Sequence, residues 1–214
     1  DVAHKRSIGT YREVLRPANK PVCKSKHCMT YKWNADHTLC ERRNRWVCCG
    51  YSQEKFKNFF ESYSSTPRGC SVRLFWAYTA LHDLEDCHID VEKAFTRNKI
   101  DCEMYVELPE GTYSPEYRKT HVGLLDLALE GSKQGSNIFR KGNKAALLKC
   151  GARMLDAEPT WFIIDISKEL YILILVWVDD IIAAFPAAAR LRFDQFVKEY
   201  HEIYPIDVRG PTKI

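Results

Sequence analysis

"LYILILVWVDDIIAAF" (Leu170 to Phe185) decides how this chain is read. Nine apolar or aromatic residues, Leu170 to Val178, lead into two adjacent aspartates, Asp179 and Asp180, and five apolar residues follow. The pattern predicts strand, turn, strand. Asp-Asp is a poor sequence for the turn, because two-residue hairpin loops favour Asn-Gly or Asp-Gly. Two carboxylates about 5 Å apart repel by roughly 3 kcal/mol at an effective dielectric of about 20, so something positive is expected beside them. The plainer alternative is a turn that projects both charges into solvent.

"CHIDVEKAF" supplies a third carboxylate, Asp90, at the end of another strand-like run, Cys87 to Val91. "SVRLFWAYTALHDL" (Ser71 to Leu84) before it places Leu74, Tyr78 and Leu81 at helical spacing. "GSKQGSNIFRKGNKAALLK" reads as helical in its second half, although Gly142 interrupts it. "RLRFDQFVKEYHEIY" sets Phe193, Phe196, Val197, Tyr200 and Tyr204 on one face of an amphipathic helix closed by Pro205. From Cys87 onward the order is strand, helix, hairpin, helix, most of a ferredoxin-like split βαβ unit in an α+β protein. Such an antiparallel sheet is expected to carry its helices on one face and leave the other open. Asp90, Asp179 and Asp180 would converge on one sheet edge, where hard oxygen ligands with open positions suit magnesium. A pair of such ions serves phosphoryl or nucleotidyl transfer.

Composition sets the outer bounds. A chain of 214 residues, 45% hydrophobic and 28% charged, can bury one core or two small lobes. No apolar run reaches the roughly 20 residues of a membrane helix, so a soluble chain with no membrane partner is expected. The nine cysteines are an odd number with no leader sequence before them, which predicts reduced intracellular thiols. A zinc site from Cys23, His27 and Cys28 with Cys40, Cys48 or Cys49 is the alternative.

Charge is unevenly spread. Residues 1–60 hold thirteen Lys or Arg against five Asp or Glu, a net of +8, which leaves −4 for the remainder of a chain whose total is +4. Residues 1–15 read as a loose arm. After them comes a basic hairpin around the turn Asn34 to His37, with Tyr31, Trp33, Trp46 and Tyr51 among Lys24, Lys26, Lys32, Arg42, Arg43 and Arg45. The pattern suits either a lobe that grips phosphates or an ordinary solvated surface.

"IDVEKAF" (Ile89 to Phe95), "LALEGSKQG" (Leu127 to Gly135) and "VWVDDIIAA" (Val176 to Ala184) together resemble the reverse transcriptase of copia-type LTR retrotransposons. The resemblance extends through "KHCMTYKWNADHTLCERRNRWVCCGYSQ" (Lys26 to Gln53), the run "FFESYSSTPRGCSVRLFWAYTALHDLEDCHIDVEKAF", "EMYVELPEGTY" (Glu103 to Tyr113) and "DVRGPTK" (Asp207 to Lys213). The last is similar to the lead-in to a further palm strand. About 200 of the 214 residues are covered in order.

This resemblance implies an RNA-directed DNA polymerase with right-hand fingers and palm. Its partners would be an RNA or DNA template, a primer and deoxynucleoside triphosphates. The implied division is arm 1–15, fingers 16–70, palm 71–96, connection 97–128 and palm 129–214, the chain stopping before a thumb and RNase H. Asp90 with the Val91 carbonyl, Asp179 and Asp180 would hold two Mg2+ ions, or Mn2+ in their place. Phe95 would exclude a ribose 2′-hydroxyl, with core packing as its alternative. Gln134 and Gly135 would meet the incoming nucleotide. Lys32 with Arg43 or Arg45 would reach its triphosphate, and Trp177 would lie near the primer end. A cytoplasmic retrotransposon particle with a nuclear phase is the implied location.

The chain departs from the family pattern at Glu130, at Phe139 in place of tryptophan, at Trp177, and at Cys48 and Cys49. A decayed copy that binds nucleic acid without catalysis, or a zinc-stabilised interaction module, remain alternatives.

Overall fold

The computed structural model describes residues 1–210. In chain order its elements are α1 (Val2–Ser7), β1 (Tyr11–Leu15), β2 (Val22–Cys23), β3 (Ser25–Trp33), β4 (Leu39–Cys48), α2 (Gly69–Leu81), β5 (Glu85–Val91) and β6 (Tyr105–Val106). Then follow α3 (Pro115–Thr120), β7 (His121–Leu125), α4 (Gly135–Lys149), β8 (Arg153–Met154), β9 (Trp161–Asp165), β10 (Tyr171–Trp177), β11 (Asp180–Phe185), α5 (Arg190–His201) and β12 (Ile206–Arg209). The protein is mixed α+β. Pro211 to Lys213 of "DVRGPTK" lie outside the described residues.

The chain divides into two compact units, residues 1–63 with 95–138, and residues 64–94 with 139 onward. These limits differ from the expected 70/71, 96/97 and 128/129. The stretch read as a connection, 97–128, lies wholly in the first unit.

The first unit is built on the sheet β1-β7-β6-β2, whose core gathers Tyr11, Trp46, Met104, Val106 and Leu125. Residues 1–15 are not a loose arm. Lys5 is buried, its Nζ 2.6 Å from Asp1 Oδ2, 3.0 Å from Glu130 Oε2 and 3.1 Å from the Trp46 carbonyl oxygen. Tyr11 packs edge-on against Trp46 at 4.9 Å. Glu13 accepts hydrogen bonds from Tyr113 and Tyr117 at 2.7 and 2.8 Å. These anchors are distant in sequence, which is why local composition does not reveal them.

The basic hairpin forms as expected: β3 and β4 pair antiparallel, and Asn34 N donates to the Thr38 carbonyl across the turn at 2.9 Å.

The second unit carries an antiparallel sheet of order β12-β5-β11-β10-β9-β8. Alternate side chains separate its faces. Cys87, Ile89, Val91, Ile172, Ile174, Val176, Ile181, Ala183 and Phe185 turn to one face, where Phe139 and Leu147 of α4 and Phe193, Phe196 and Tyr200 of α5 cover them. Truncating one such residue, Ile89→Ala, would cost about 2–5 kcal/mol.

Helices do not lie on one face alone, as the sequence pattern suggested. Phe75 of α2 packs with Trp161, Leu173, Leu175 and Ala184 on the opposite face. Leu74 and Leu81, expected inward, are 60% and 79% exposed, whereas Phe75 is fully buried. Helix α4 is also longer than expected and begins at Gly135. No helix among the described residues is long and apolar enough to cross a membrane.

Candidate active site

Strand pairing places the acidic residues. Trp177 is paired with Asp180, so the hairpin loop is Val178-Asp179, and Asp180 opens β11 rather than sitting in the turn. Val178 has φ +58°, whereas Asp179 is not in the positive-φ region. A type II′ turn has this pattern and normally takes glycine at the first position. A β-branched side chain in the left-handed region is strained by about 1–2 kcal/mol, and such outliers cluster at functional sites.

On β5, Asp90 stands directly opposite Asp180 of β11 on one side and Asp207 of β12 on the other. Directly opposed residues share a sheet face, with Cβ atoms about 4.5–5.5 Å apart. The face is the one opposite α4 and α5, because the neighbours Ile89, Val91 and Ile181 turn the other way. Trp177 shares the carboxylate face and is 48% exposed.

One positive group, Arg209, and one imidazole, His88, lie beside the carboxylates. The Arg209 guanidinium lies 3.5 Å from Asp90 Oδ2 and donates from Nε to Asp207 Oδ2 at 3.0 Å. Asp207 chiefly, through that hydrogen bond and its charge, raises the Arg209 pKa. His88 Nε2 is 3.1 Å from Asp180 Oδ1. Asp207, Arg209 and His88 are site residues that the sequence reading missed. Their signal is alternation, since His88 lies two residues before Asp90 and Arg209 two after Asp207.

Among the described residues no three His, Cys, Asp or Glu side chains gather as a metal ion requires. In this arrangement Asp90 and Asp180 turn to different partners, Arg209 and His88. The donor set nonetheless fits a hard divalent ion, because the side chains of Asp90 and Asp180 are half exposed and offer only oxygen. The backbone N–H of Val91 donates to the Asp179 carbonyl in a long 3.4 Å contact, tying the turn to β5.

The zinc alternative fails on geometry. His27 and Cys28 are adjacent in β3 and point to opposite faces, and Cys23 is buried. All nine cysteines are free thiols.

In the first unit the β3/β4 hairpin has two chemically different faces. Lys32, opposite Glu41, shares one face with Arg43, opposite Thr30, and Arg45, opposite Cys28. Arg43 Nε is held by Glu41 at 2.8 Å. The other face shows Met29, Tyr31, Trp33 and Leu39.

The segment Glu130 to Gly135 is docked by close backbone approach. Cys48 N donates to the Glu130 carbonyl at 2.8 Å, and a Cβ on Gly131, at φ +82°, would fall 2.2 Å from the Cys48 carbonyl oxygen. A Cβ on Gly135 would meet Ser132 Oγ at 2.9 Å and the half-buried Phe95 ring at 3.3 Å.

Gln134 differs from the expectation. Its side chain is fully buried, accepts from Gln53 Nε2 at 2.8 Å and donates to the Asn58 carbonyl at 2.9 Å. Both ends of the amide are used inside the fold, so here it braces the segment instead of facing a ligand. Glu130, a departure from the family pattern, is the carboxylate that pairs with Lys5.

A family model described as reverse transcriptase (RNA-dependent DNA polymerase) matches residues 8–199. The chain is 28% identical over 174 residues to the retrovirus-related Pol polyprotein from transposon TNT 1-94 of Nicotiana tabacum, covering 81% of this chain and 13% of that protein. It is 25% identical over 166 residues to the corresponding polyprotein of transposon RE1 of Arabidopsis thaliana, covering 78% of this chain and 11% of that protein. With the RE2 polyprotein of Arabidopsis thaliana it shares 26% identity over 178 residues, 82% of this chain and 12% of that protein. The chain thus spans about an eighth of the length of the curated relatives it matches.

Proposed function

The chain belongs to the reverse transcriptase (RNA-dependent DNA polymerase) family, and we propose that it is the nucleotidyl-transfer core of a retrotransposon Pol polyprotein, extending a primer along an RNA or DNA template with deoxynucleoside triphosphates. One observation carries this reading above the others: Asp180 faces Asp90 across the β11/β5 register on one sheet face, beside the tight Val178-Asp179 turn. The strand order β12-β5-β11-β10, with α4 and α5 on the reverse face, supports reading the second unit as a split βαβ palm and the first as fingers.

Asp90, Asp179 and Asp180, with the Val91 carbonyl, would hold Mg2+ or Mn2+. Bound divalent ions would stabilise the attacking and leaving oxygens of an in-line displacement. The chain's own residues do the rest. The strained turn fixes Asp179, and the β11/β5 ladder fixes Asp180 against Asp90. Arg209 pairs with Asp90 and His88 with Asp180, and both must release the carboxylates for the reaction.

On the first unit, Lys32 with Arg43 or Arg45 would take a triphosphate, the arginines by paired hydrogen bonds. Phe95, pressed on Gly135, would exclude a 2′-hydroxyl by bulk. Gln134 supports Gly135 and does not touch the nucleotide. Trp177, on the carboxylate face, would lie beside the primer end. A cytoplasmic retrotransposon particle with a nuclear phase suits this role.

A decayed copy is the second reading, and its grounds are the departures at Glu130, Cys48 and Cys49. The Lys5 partnership gives Glu130 a structural reason and weakens the first of these grounds.

The test is extension of a DNA primer on an RNA template with Mg2+ or Mn2+. Incorporation should fall at least a hundredfold in Asp90→Asn and in Asp179→Asn. Unchanged incorporation in either variant would refute the assignment.

A further inference from the structure

Helix α4 carries Arg140, Asn143, Lys144 and Leu147 at positions i, i+3, i+4 and i+7, so all four share one face. That face, with the ends of β9 and β10, lines a small, partly open pocket. Its apolar wall is Leu147, Phe162 and Val176, side chains on the sheet face turned away from Asp90 and Asp180. The pocket therefore lies on the other side of the sheet from the carboxylates.

Two of its polar atoms are unusual in being buried donors with nothing to donate to. Asn143 is 1% exposed. Its Oδ1 accepts from Tyr200 Oη at 2.7 Å, which orients the amide and leaves Nδ2 buried without a partner. Arg140 Nε is likewise buried without a hydrogen-bond partner. Buried polar atoms are nearly always satisfied, and the exceptions ask for an explanation. Lys144 adds a third cationic or donor group and Ser65 a hydroxyl, while no acidic side chain lines the pocket. Thr160, also in the lining, already gives its hydroxyl to Glu158 at 2.8 Å.

We infer that this pocket binds a phosphoryl oxyanion. Two positive groups and an oriented amide match a tetrahedral group carrying several acceptor oxygens and up to two charges. One chemistry has two sources here: free inorganic phosphate, or a backbone phosphate of a nucleic-acid strand. The inference does not rest on polymerase activity, because the binding can be read without turnover.

The experiment follows the Asn143 side-chain amide by NMR in the 15N-labelled chain, with inorganic phosphate and with a template–primer duplex as separate probes. A saturable shift is expected with one or both. Arg140→Met/Lys144→Met should weaken it at least tenfold. Asn143→Asp, which keeps an oxygen for Tyr200 and replaces the donor with a negative charge, should weaken both probes at least tenfold, read by calorimetry. Melting curves confirm that each variant folds, and the double variant at the half-buried Arg140 and Lys144 tests the site even where Asn143→Asp does not fold.

If the occupant is a strand phosphate, the slope of log affinity for the duplex against log salt becomes shallower by about 1–2 in the double variant. If it is free phosphate, the slope stays unchanged while the phosphate response is lost. No saturable shift with either probe, or equal affinities in wild type and variants, would overturn the inference.

Discussion

Val178 offers the sharpest test of the turn. Its φ of +58° puts a β-branched residue where glycine is the usual choice. In ordinary backbone, glycine is less stable than alanine by about 0.5–1 kcal/mol, because it loses more freedom on folding. In the left-handed region an L side chain costs about 1–2 kcal/mol, which reverses that order. Val178→Gly should therefore be more stable than Val178→Ala by about 1 kcal/mol. For a chain of this size that is about 2–4 °C in melting temperature. The assay is a pair of thermal or urea unfolding curves, read against wild type. The freed turn should also hold Asp179 less firmly, so the glycine variant should incorporate nucleotides several-fold more slowly despite its stability. Alanine as stable as glycine, or more so, would refute the strained-turn argument.

The other expectations rest on the first unit and the thiols. Burial pushes the Lys5 pKa down, with Glu130 acting against it, and Lys5→Met would leave Asp1 and Glu130 facing each other without a cation. Unfolding curves should show a loss of about 3 kcal/mol that Lys5→Met/Glu130→Leu largely restores; equal stability of both variants would contradict this. Burial alone would raise the Glu13 carboxyl, but hydrogen bonds from Tyr113 and Tyr117 with the Arg6 charge outweigh it and hold its pKa below the ordinary value. Glu13 thus adds stability above an unfolded pKa of about 4.3, which is lost as pH falls through the lower folded value. In acid titration Glu13→Gln should show a smaller loss over that window than wild type. Burial, then Asp101, pushes the Cys102 thiol up to about 11, so iodoacetamide at pH 8 should label exposed Cys28, Cys40 and Cys70 well before Cys102, as mass spectrometry would report.

Much of the second unit could be read directly from the sequence. The hairpin and the amphipathic α5 announce themselves through period-2 and period-3.6 patterns, although the hairpin loop falls at Val178-Asp179, one residue before the expected Asp179-Asp180. Asp90 ends a short buried run, and the β11/β5 register confirms its neighbourhood with Asp180. Helix α2 was legible as a helix but not in its orientation. Val72, Leu74, Phe75, Trp76, Tyr78 and Leu81 are apolar nearly all round, so no stripe marks the buried side, and only packing of Phe75 against Trp161 selects it.

The ordered residues 1–15 were hidden because their anchors, Trp46, Tyr113 and Glu130, lie far along the chain. Asp207 and Arg209 became site residues only once β12 was seen to pair with β5. Gln134 showed the limit of carrying a role over by resemblance, since its amide is consumed by Gln53 and the Asn58 carbonyl.

The central claim is that the carboxylates at the β11/β5 register cradle divalent cations. Titration of Mn2+ followed by electron paramagnetic resonance tests it most directly, because it requires no other part of a polyprotein. Saturable binding by the wild-type chain, weakened at least tenfold in Asp90→Asn and in Asp180→Asn, is the predicted result. Binding that is equal in all three proteins, or no saturable binding in the wild type, would contradict the account.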